Sequence, residues 1–412
     1  MELQERLEKA MLVRDAYPRF VPFLEDAMAF LGFSTTWMQK DIAEFMETGP
    51  AYLMVQAQRS EAKSTIACIF GIWCLIQWPW FRVLLVSGNQ GKANENGMLM
   101  HGLVYNWELL DFLIPDPSRK QRTSTTEFDV HWALKGVNKS ASVNCVSVTG
   151  GLQGLRSDLL IPDDVETTKN GLTATGREGL IRQCVEFSSI DDHGRILYLG
   201  TPQSKDSTYN TLARRGYEVR IWPGRFPSKE QQEHYGPHLA PSIVHRMAVL
   251  GDSCRTGCGL DGTLGKATDP DRLNDEDLIA KELEQGPENF QLQFMLDTHL
   301  MDAMRTQIRL RDFIVGDFDS KSVPESFNWA PHKHLAVEMR HEAFNNGELD
   351  MYYAASHSPV FGEPTQRTMV IDPDRLNDDD LIAKELEQGP ENFQLQFMLD
   401  THLMDAMRTN RS

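Results

Sequence analysis

The stretch YLMVQAQRSEAKSTIACIFGIWCLI, residues 52–76, decides the fold that we expect for this chain. An apolar run from Tyr52 to Val55 precedes a short polar loop, and a long apolar segment begins near Lys63. This order predicts a strand, a loop and a helix, the context in which a P-loop binds phosphates through backbone N–H groups. In such a loop a Lys reaches the β and γ phosphates and a Ser or Thr hydroxyl binds Mg²⁺. Lys63 and Ser64 fit these two roles.

The loop departs from the regular pattern G-x-x-x-x-G-K-[ST] at both glycine positions, which are Ala57 and Ala62 here. Taken alone, the segment therefore fits an ordinary helix start as well. The methyl group of Ala62 also lies where the backbone and a phosphate must approach closely, which puts nucleotide affinity in question.

Two later segments favour nucleotide binding. SDLLIPDDVE, residues 157–166, is an apolar run ending in Asp163 and Asp164, as expected of a buried strand that ends at a Mg²⁺ and water site. GRILYLGTPQ, residues 194–203, predicts another strand, with Thr201 at its tip as a sensor of the γ phosphate. Each segment alone also fits a plain strand followed by a turn. Because parallel strands bring their carboxyl ends to one edge of a sheet, the three segments together predict one site.

A near-identical repeat accounts for much of the acidity. Residues 269–306 recur at 372–409, with Glu276 replaced by Asp379 as the single difference. Each copy holds ten acidic and three basic residues, so each contributes −7 to the net charge of −18. Such close identity indicates a recent copying event or a joining error in the sequence, since the repeats of a solenoid drift apart. The acidity is therefore weak evidence against nucleic-acid binding.

Each copy is predicted to form two helices. In the first copy Asn274 is a good N-cap with Asp277 three residues on, and Gly286-Pro287 ends the first helix. This copy continues smoothly into TQIRLRDFIVGDFD, whereas the second ends abruptly in NRS. We therefore expect the first copy to be the native one.

The composition is that of an ordinary globular protein of 412 residues with 41% apolar side chains. The longest apolar run, Ile66 to Ile76, is too short to span a membrane, and the charged start is unlike a signal peptide. The six scattered cysteines favour reduced thiols. We therefore expect a protein of the cytoplasm.

Several segments resemble the large terminase subunits, also called DNA maturase B, of short-tailed phages. The resemblance runs from about residue 20 to 371 and is carried by FSTTWMQKDIAEF, AQRSEAKST, GLQGLRSDLLIPDDVE and LYLGTPQ. These are similar to the adenine-binding segment, the phosphate-binding loop, the metal-binding strand and the coupling motif of that family. The resemblance implies a three-layer α/β P-loop ATPase of the additional-strand type.

The resemblance also implies the roles of the loop residues. Arg59 and Lys63 would contact the β and γ phosphates of ATP, and Ser64 and Asp163 would bind Mg²⁺. The rest of the loop would surround the nucleotide: Gln58, Ser60, Glu61, Ala62 and Thr65.

The resemblance leaves two assignments open. Either Asp164 or Glu166 would orient the attacking water. Either Arg59, acting within its own chain, or Arg156 would be the arginine that completes an ATPase site.

Two further roles are implied by the resemblance. Gln39 would read the adenine base, and Thr201 would link the nucleotide state to movement.

Three regions are expected: a P-loop ATPase domain at 1–225, a helical or irregular linker subdomain at 226–365, and a nuclease-domain stub with the second copy at 366–412. By the resemblance, RTMVIDP would be the first strand of a ribonuclease-H-like nuclease, with Asp372 as a metal ligand. Because the repeat then replaces the remaining strands and carboxylates, we predict no nuclease activity.

The resemblance further implies that the chain assembles as a homo-oligomeric ring on the portal protein, receives double-stranded DNA with the small terminase subunit, and drives it into the procapsid. No membrane is expected, and the host cytoplasm is the expected location. Two alternatives remain. One is another P-loop ATPase such as a helicase, and the other is a non-catalytic terminase fragment that binds DNA or portal.

Overall fold

The structure, a computed structural model, describes residues 2–171, 174–204 and 207–298, together with four short strands between 313 and 354. The chain divides into two compact units, Met1–Asp302 and Ala303–Ser412. The predicted nuclease stub with Asp372 and the second copy of the repeat lie outside the described residues.

The first unit is a mixed α/β structure. Its helices are α1 (Leu3–Ala16), α2 (Phe20–Phe30), α3 (Trp37–Thr48), α4 (Lys63–Gln77), α5 (Gln90–Asn106), α6 (Trp132–Lys135), α7 (Thr168–Gly171), α8 (Ala174–Val185), α9 (Phe187–Ile190), α10 (Lys229–Tyr235), α11 (Pro241–Leu250) and α12 (Asp275–Phe290). Its strands are β1 (Tyr52–Ala57), β2 (Val83–Ser87), β3 (Glu127–Phe128), β4 (Val143–Ser147), β5 (Ser157–Asp163), β6 (Asp191–Leu199) and β7 (Glu218–Trp222).

In the second unit the structure describes two antiparallel strand pairs. One pairs β9 (Ser326–Asn328) with β10 (Ala336–Glu338), and the other pairs β8 (Phe313–Val315) with β11 (Tyr352–Ala354).

The seven strands of the first unit form one sheet in the order β3-β4-β2-β5-β6-β1-β7. All neighbours in this sheet are parallel except β3, which is antiparallel to β4. Strand β6 lies between β1 and β5, so the strand before the predicted loop and the strand before Asp163 are separated by one additional strand. This arrangement confirms the predicted additional-strand P-loop fold.

The central strands are buried on both faces, which requires a layer of structure on each side of the sheet. All residues of β2 are buried, and so are all residues of β1 after Tyr52. Helix α4 is buried over the whole apolar run Ile66 to Ile76, and α2, α3 and α5 pack against it. The long apolar segment is therefore a core helix, as predicted. The three-layer arrangement follows from this burial.

The first copy of the repeat begins as predicted. Asn274 caps α12, and the side chain of Asp277 accepts from the backbone N–H of Asn274 in return. The helix kinks at Gly286, whose φ is +76°, immediately before Pro287. Residues 291–295 then form a π-helical turn, and the rings of Phe290 and Phe294 stack with centroids 5.1 Å apart.

Residues 226–302 belong to the same compact unit as the sheet. The last strand of the sheet ends at Trp222, close to the domain boundary expected at 225, which stays a prediction. All six cysteines are unpaired thiols, as predicted. Among the helices that the structure describes, none combines the length and the apolar character needed to cross a membrane.

The burial of Leu278 provides a test of which copy of the repeat the fold uses. Leu278 is fully buried in a small core with Phe290, Phe294 and Met295. We expect Leu278→Ala to lower the free energy of unfolding by about 2–5 kcal/mol, because it leaves a cavity in a packed core. The matched control is Leu381→Ala at the equivalent position of the second copy. Equal losses in denaturant unfolding for both variants would contradict the prediction that the first copy is the native one.

Candidate nucleotide-binding site

The predicted phosphate-binding loop connects β1 to α4 and has two residues in the left-handed region. Ser60 has φ +72° and Ala62 has φ +63°. Each costs roughly 1 kcal/mol in a residue with a side chain, a cost that glycine avoids. Ala57, at the other glycine position, is the last residue of β1 and keeps a negative φ. Of the two departures from the regular pattern, only Ala62 therefore strains the backbone.

The side chain of Lys63 is folded back over this loop. Its ammonium group donates to the carbonyl oxygens of Ala57 and Gln58, at 2.7 and 3.1 Å. Burial lowers the pKa of Lys63, and the nearby carboxylates of Asp164 and Glu61 oppose that shift. In this structure the two carbonyl oxygens bind the ammonium group of Lys63. An anionic ligand would stabilise this cation more strongly.

A chain of hydrogen bonds joins the start of α4 to the end of β5. The hydroxyl of Ser64 donates to Oδ1 of Asp163 at 2.8 Å. The amide of Asn96, on α5, donates to Oδ2 of Asp163 at 2.9 Å and to the hydroxyl of Ser87 at 3.2 Å. Asn96 was not identified from the sequence, because a buried polar residue inside a helix follows no strand-end pattern.

The Ser64 and Asp163 oxygens fit a hard divalent cation. Burial and then the neighbouring charge of Asp164 raise the pKa of Asp163 to about 6, so a cation at this place would favour its ionised form. Mg²⁺ in nucleotide sites is bound through one or two protein oxygens, waters and substrate phosphates. In the described part of the chain no group of three His, Cys, Asp or Glu side chains forms a complete metal site. The donor set therefore suits Mg²⁺ bound together with a nucleotide.

Asp164 occupies a strained position at the end of the same strand. Its φ is +44°, and its backbone N–H donates to the carbonyl of Leu199 at 3.0 Å. Oδ1 of its carboxyl group is buried and has no hydrogen-bond partner in the structure. A strained backbone with an unsatisfied carboxylate oxygen is typical of a residue held for function.

Glu166, the competing candidate, has a fully occupied carboxylate. Oε1 accepts from the backbone N–H of Gln203 at 3.0 Å. Oε2 accepts from the hydroxyl of Ser207 and from both the N–H and the hydroxyl of Thr208, at 2.7 to 3.0 Å. The backbone N–H of Glu166 donates to the hydroxyl oxygen of Tyr209 at 3.0 Å. Glu166 thus ties the end of β5 to the chain that follows Thr201.

These elements line one cavity of about 530 Å³ at the carboxyl edge of the sheet. Its lining includes residues 59–65 of the loop and first turn of α4, Asp164 and Glu166 after β5, and Thr201 after β6. Lys63 and Thr201 therefore line one space, as the strand-end argument expected. At the end of β5 it is Asp164 that lines this space, whereas Asp163 is fully buried and is connected to it through the hydroxyl of Ser64.

One segment that lines the cavity was not identified from the sequence. It is the turn after β2, which contributes Gly88, Asn89 and Lys92. The apolar strand VLLVS followed by Gly-Asn has the same strand-end signal that identified the other two turns. Applying that criterion to every apolar strand would have found it.

Two residues that were expected to bind nucleotide, Gln39 and Gln58, contact Glu61 of the loop and do not line the cavity. Gln39 is buried, accepts from the N–H of Thr36 at 3.1 Å and donates to the carbonyl of Glu61 at 3.3 Å. Gln58 is also buried, and its amide donates to the carboxyl group of Glu61 at 2.9 Å. Both side chains therefore fix the shape of the loop in this structure.

Arg156 is not brought to the cavity. It immediately precedes β5, whereas Asp163 ends that strand, so the two lie at opposite edges of the sheet. Arg156 lines a separate cavity of about 310 Å³ together with Arg82, Arg122 and Lys139. Within its own chain it does not reach the phosphate-binding loop.

The first copy of the repeat contacts the loop directly, which the sequence did not reveal. The N–H of Arg59 donates to the carbonyl of Gln293 at 2.9 Å, and its guanidinium donates to the Gln293 side chain at 3.1 Å. The amide of Gln293 in turn donates to the carbonyl of Pro202 at 3.3 Å. Arg272 donates to the carbonyl of Ser60 at 2.7 Å. The repeat unit is therefore part of the framework of the site.

A known protein is similar in sequence to this chain over most of the chain's length. The chain is 34% identical over 372 residues to the large terminase subunit of Enterobacteria phage T3, an alignment that covers 88% of this chain. The chain is therefore similar to a terminase large subunit over most of its own length. It spans 61% of the length of the phage T3 terminase. No family model matches the chain.

Solved terminase structures show weaker similarity. The large terminase of bacteriophage HK97 has a TM-score of 0.37 and 13% identity, over 57% of this chain and 51% of that one. The ATPase domain of the Thermus phage P74-26 large terminase has a TM-score of 0.34 and 12% identity, over 66% of this chain and 96% of that one. Because both TM-scores are low, the similarity to the terminases rests on the phage T3 sequence.

Gly88 allows the turn after β2 to approach the turn after β5. A Cβ atom at Gly88 would lie 2.3 Å from the carbonyl oxygen of Asp164 and 2.6 Å from the Thr167 side chain. We expect Gly88→Ala to lower the free energy of unfolding by about 1–3 kcal/mol, because backbone must shift to admit the methyl group. The control is Gly91→Ala, where the nearest atom to the new Cβ is 3.2 Å away in the exposed Asn89 side chain. Equal unfolding midpoints for both variants would show that this close approach is not required.

Proposed function

We propose that this chain is the ATP-hydrolysing motor of viral DNA packaging, which moves double-stranded DNA into the procapsid through the portal. The observation that supports this best is the cavity at the sheet edge, where Lys63, Asp164 and Thr201 meet beside the Ser64–Asp163 pair. The similarity to the phage T3 large terminase supports the biological setting.

Nucleotide binding would replace the contacts that now hold Lys63. A triphosphate in the loop would accept from the Lys63 ammonium group in place of the carbonyls of Ala57 and Gln58. It would also accept from backbone N–H groups at the start of α4. Arg59 would leave Gln293 to contact the same phosphates. The other loop residues expected around the nucleotide, Ser60 to Thr65, already line the cavity.

Mg²⁺ would be held by Ser64 and Asp163, and when bound it would neutralise charge on the phosphate oxygens. Asn96 would keep Asp163 in place, because its amide binds the carboxylate oxygen that Ser64 does not use. Asp372, the expected nuclease ligand, lies outside the described residues and remains a prediction.

Asp164 is the better candidate for orienting the attacking water. Asp164 is half-buried and lines the cavity, whereas Glu166 is buried and both of its carboxylate oxygens accept hydrogen bonds. A carboxylate can accept a proton from water only if one of its lone pairs is accessible to that water. We therefore assign Asp164 to the water and Glu166 to the connection between the site and the Thr201 segment.

Movement would start at the segment that begins with Thr201. Glu166 binds this segment at Gln203, Ser207 and Thr208, so a change at the end of β5 pulls directly on it. Gln293 connects the same segment, at Pro202, to the phosphate-binding loop. The nucleotide state would reach residues 291–295 by this route.

The partners would be those of a packaging terminase: double-stranded DNA, the portal protein and the small terminase subunit. Arg156, at the opposite edge of the sheet, would act on a neighbouring subunit's nucleotide in a homo-oligomeric ring. Gln39 would contact adenine only after giving up its bond to Glu61 or Thr36. The setting would be the host cytoplasm, and no nuclease activity is expected of this chain.

Lys63→Ala tests the proposed function itself. We expect it to reduce Mg²⁺-dependent ATP hydrolysis to background, because it removes the cation that binds the β and γ phosphates. The control is Lys229→Ala, at an exposed position on α10. Equal background rates for the unaltered protein and Lys63→Ala would favour the non-catalytic fragment. Duplex unwinding without portal would favour a helicase.

Asp164→Asn and Glu166→Gln separate the two carboxylates. We expect Asp164→Asn to lower kcat by about 10²–10⁴-fold with nearly unchanged nucleotide affinity, since it removes a proton acceptor. We expect Glu166→Gln to lower the free energy of unfolding by about 1–3 kcal/mol, because its new N–H groups would face donors. Single-turnover hydrolysis and denaturant unfolding are measured on both. The assignment would be reversed if Glu166→Gln lost hydrolysis at full stability while Asp164→Asn kept it.

A further inference from the structure

Two carboxyl groups lie in contact beneath the phosphate-binding loop. Glu61 belongs to the loop, and Asp269 is the first residue of the repeat unit; both are fully buried. The Glu61 carboxyl accepts from the Gln58 amide at 2.9 Å, and the Asp269 carboxyl accepts from the hydroxyl of Thr36. The two side chains are within hydrogen-bonding reach of each other. Each has one further buried oxygen that accepts no N–H or O–H.

One proton shared between the two carboxyl groups gives both of the remaining buried oxygens a hydrogen bond. If both groups were ionised, the two charges would repel each other and both oxygens would be buried without a hydrogen bond. Burial, followed by the charge of Asp269, raises the pKa of Glu61 to about 7, and burial also raises the pKa of Asp269. The other charged groups that face the pair are Lys63 beside Glu61, and Asp271 and Arg246 beside Asp269. Glu61 therefore holds the proton near neutral pH and donates it to Asp269.

The contact between Glu61 and Asp269 lies at the strained part of the loop. Glu61 lies between Ser60 and Ala62, the two residues in the left-handed region. In a loop with glycine at position 62 this conformation would need no support. Here it persists only if surrounding contacts favour it over relaxed alternatives. The bond to Asp269 acts at the residue between the two strained ones.

We propose that Asp269 is a positioning residue for the phosphate-binding loop: it shares one proton with Glu61, and this buried bond holds Ser60 and Ala62 in the left-handed conformation. The proposal rests on the proposed function, in that the loop so held is the one that binds nucleotide. It assigns the repeat unit a role in the ATPase site and accounts for a functional loop without glycine.

The proposal gives a pH dependence of definite sign. A carboxyl group whose pKa is raised in the anchored loop stabilises that loop fully below its ordinary pKa. This contribution is lost as the pH rises through about 7. Loop order and nucleotide affinity should therefore decrease from about pH 6 to pH 8, by up to about tenfold in affinity for one proton. Glu61→Gln replaces the shared proton with a permanent N–H donor.

The test measures hydrogen exchange of residues 58–65 without nucleotide, and the affinity for Mg²⁺-ADP, at several pH values. As the pH rises, we expect the loop of the unaltered protein to exchange hydrogen faster and its affinity for Mg²⁺-ADP to fall. Both changes are expected relative to Glu61→Gln and Asp269→Asn measured at the same pH. Asp271→Asn, at an exposed neighbouring carboxylate, is the control and should follow the unaltered protein. Comparison at equal pH removes the intrinsic pH dependence of exchange and of the nucleotide.

Parallel pH profiles for the unaltered protein and Glu61→Gln would overturn the proposal. So would faster loop exchange in Glu61→Gln than in the unaltered protein at every pH. If the loop exchange behaves as expected but no protein binds Mg²⁺-ADP, the positioning contact stands and the proposed function fails. The two ideas are therefore tested separately.

Discussion

The whole site depends on the parallel arrangement of β1 and β5, which is also what allows the hydrogen bond from Ser64 to Asp163. This bond joins residues 99 positions apart, and it forms because β1 and β5 are parallel strands whose carboxyl ends lie at one edge of the sheet. Strand β6 is inserted between them, so its own end places Thr201 beside the same space. A sheet of this order brings polar turns together without any local contact between them in the sequence.

Contacts outside the loop compensate for its unusual sequence. Ser60 and Ala62 adopt a conformation that glycine takes without strain. Gln39 binds the loop at Glu61, and the repeat unit binds it through Asp269, Arg272 and Gln293. These contacts come from two separate parts of the chain. A loop of this type can therefore lose its glycines if tertiary structure fixes the backbone instead.

Strand-end reasoning worked where polar residues follow apolar strands. It placed Lys63, Thr201 and the end of β5 at one cavity, and the capping pattern at Asn274 located the start of α12. It could not find Asn96 or Gln293, since neither follows a strand and both act through packing of helical segments. Arg156 precedes its strand, and the structure places it at the other edge of the sheet.

By itself, the sequence determined the type of fold, the positions of the predicted phosphate-binding loop and of the strand-end carboxylates, and the similarity to the terminase large subunits. These features are local or periodic, so the chain carries them in short segments. Only the tertiary structure decided which carboxylate is satisfied, because the partners of Glu166 lie 37 to 42 positions away. It also decided that Asp269 meets Glu61, since burial and contact between distant residues arise only when the chain is packed.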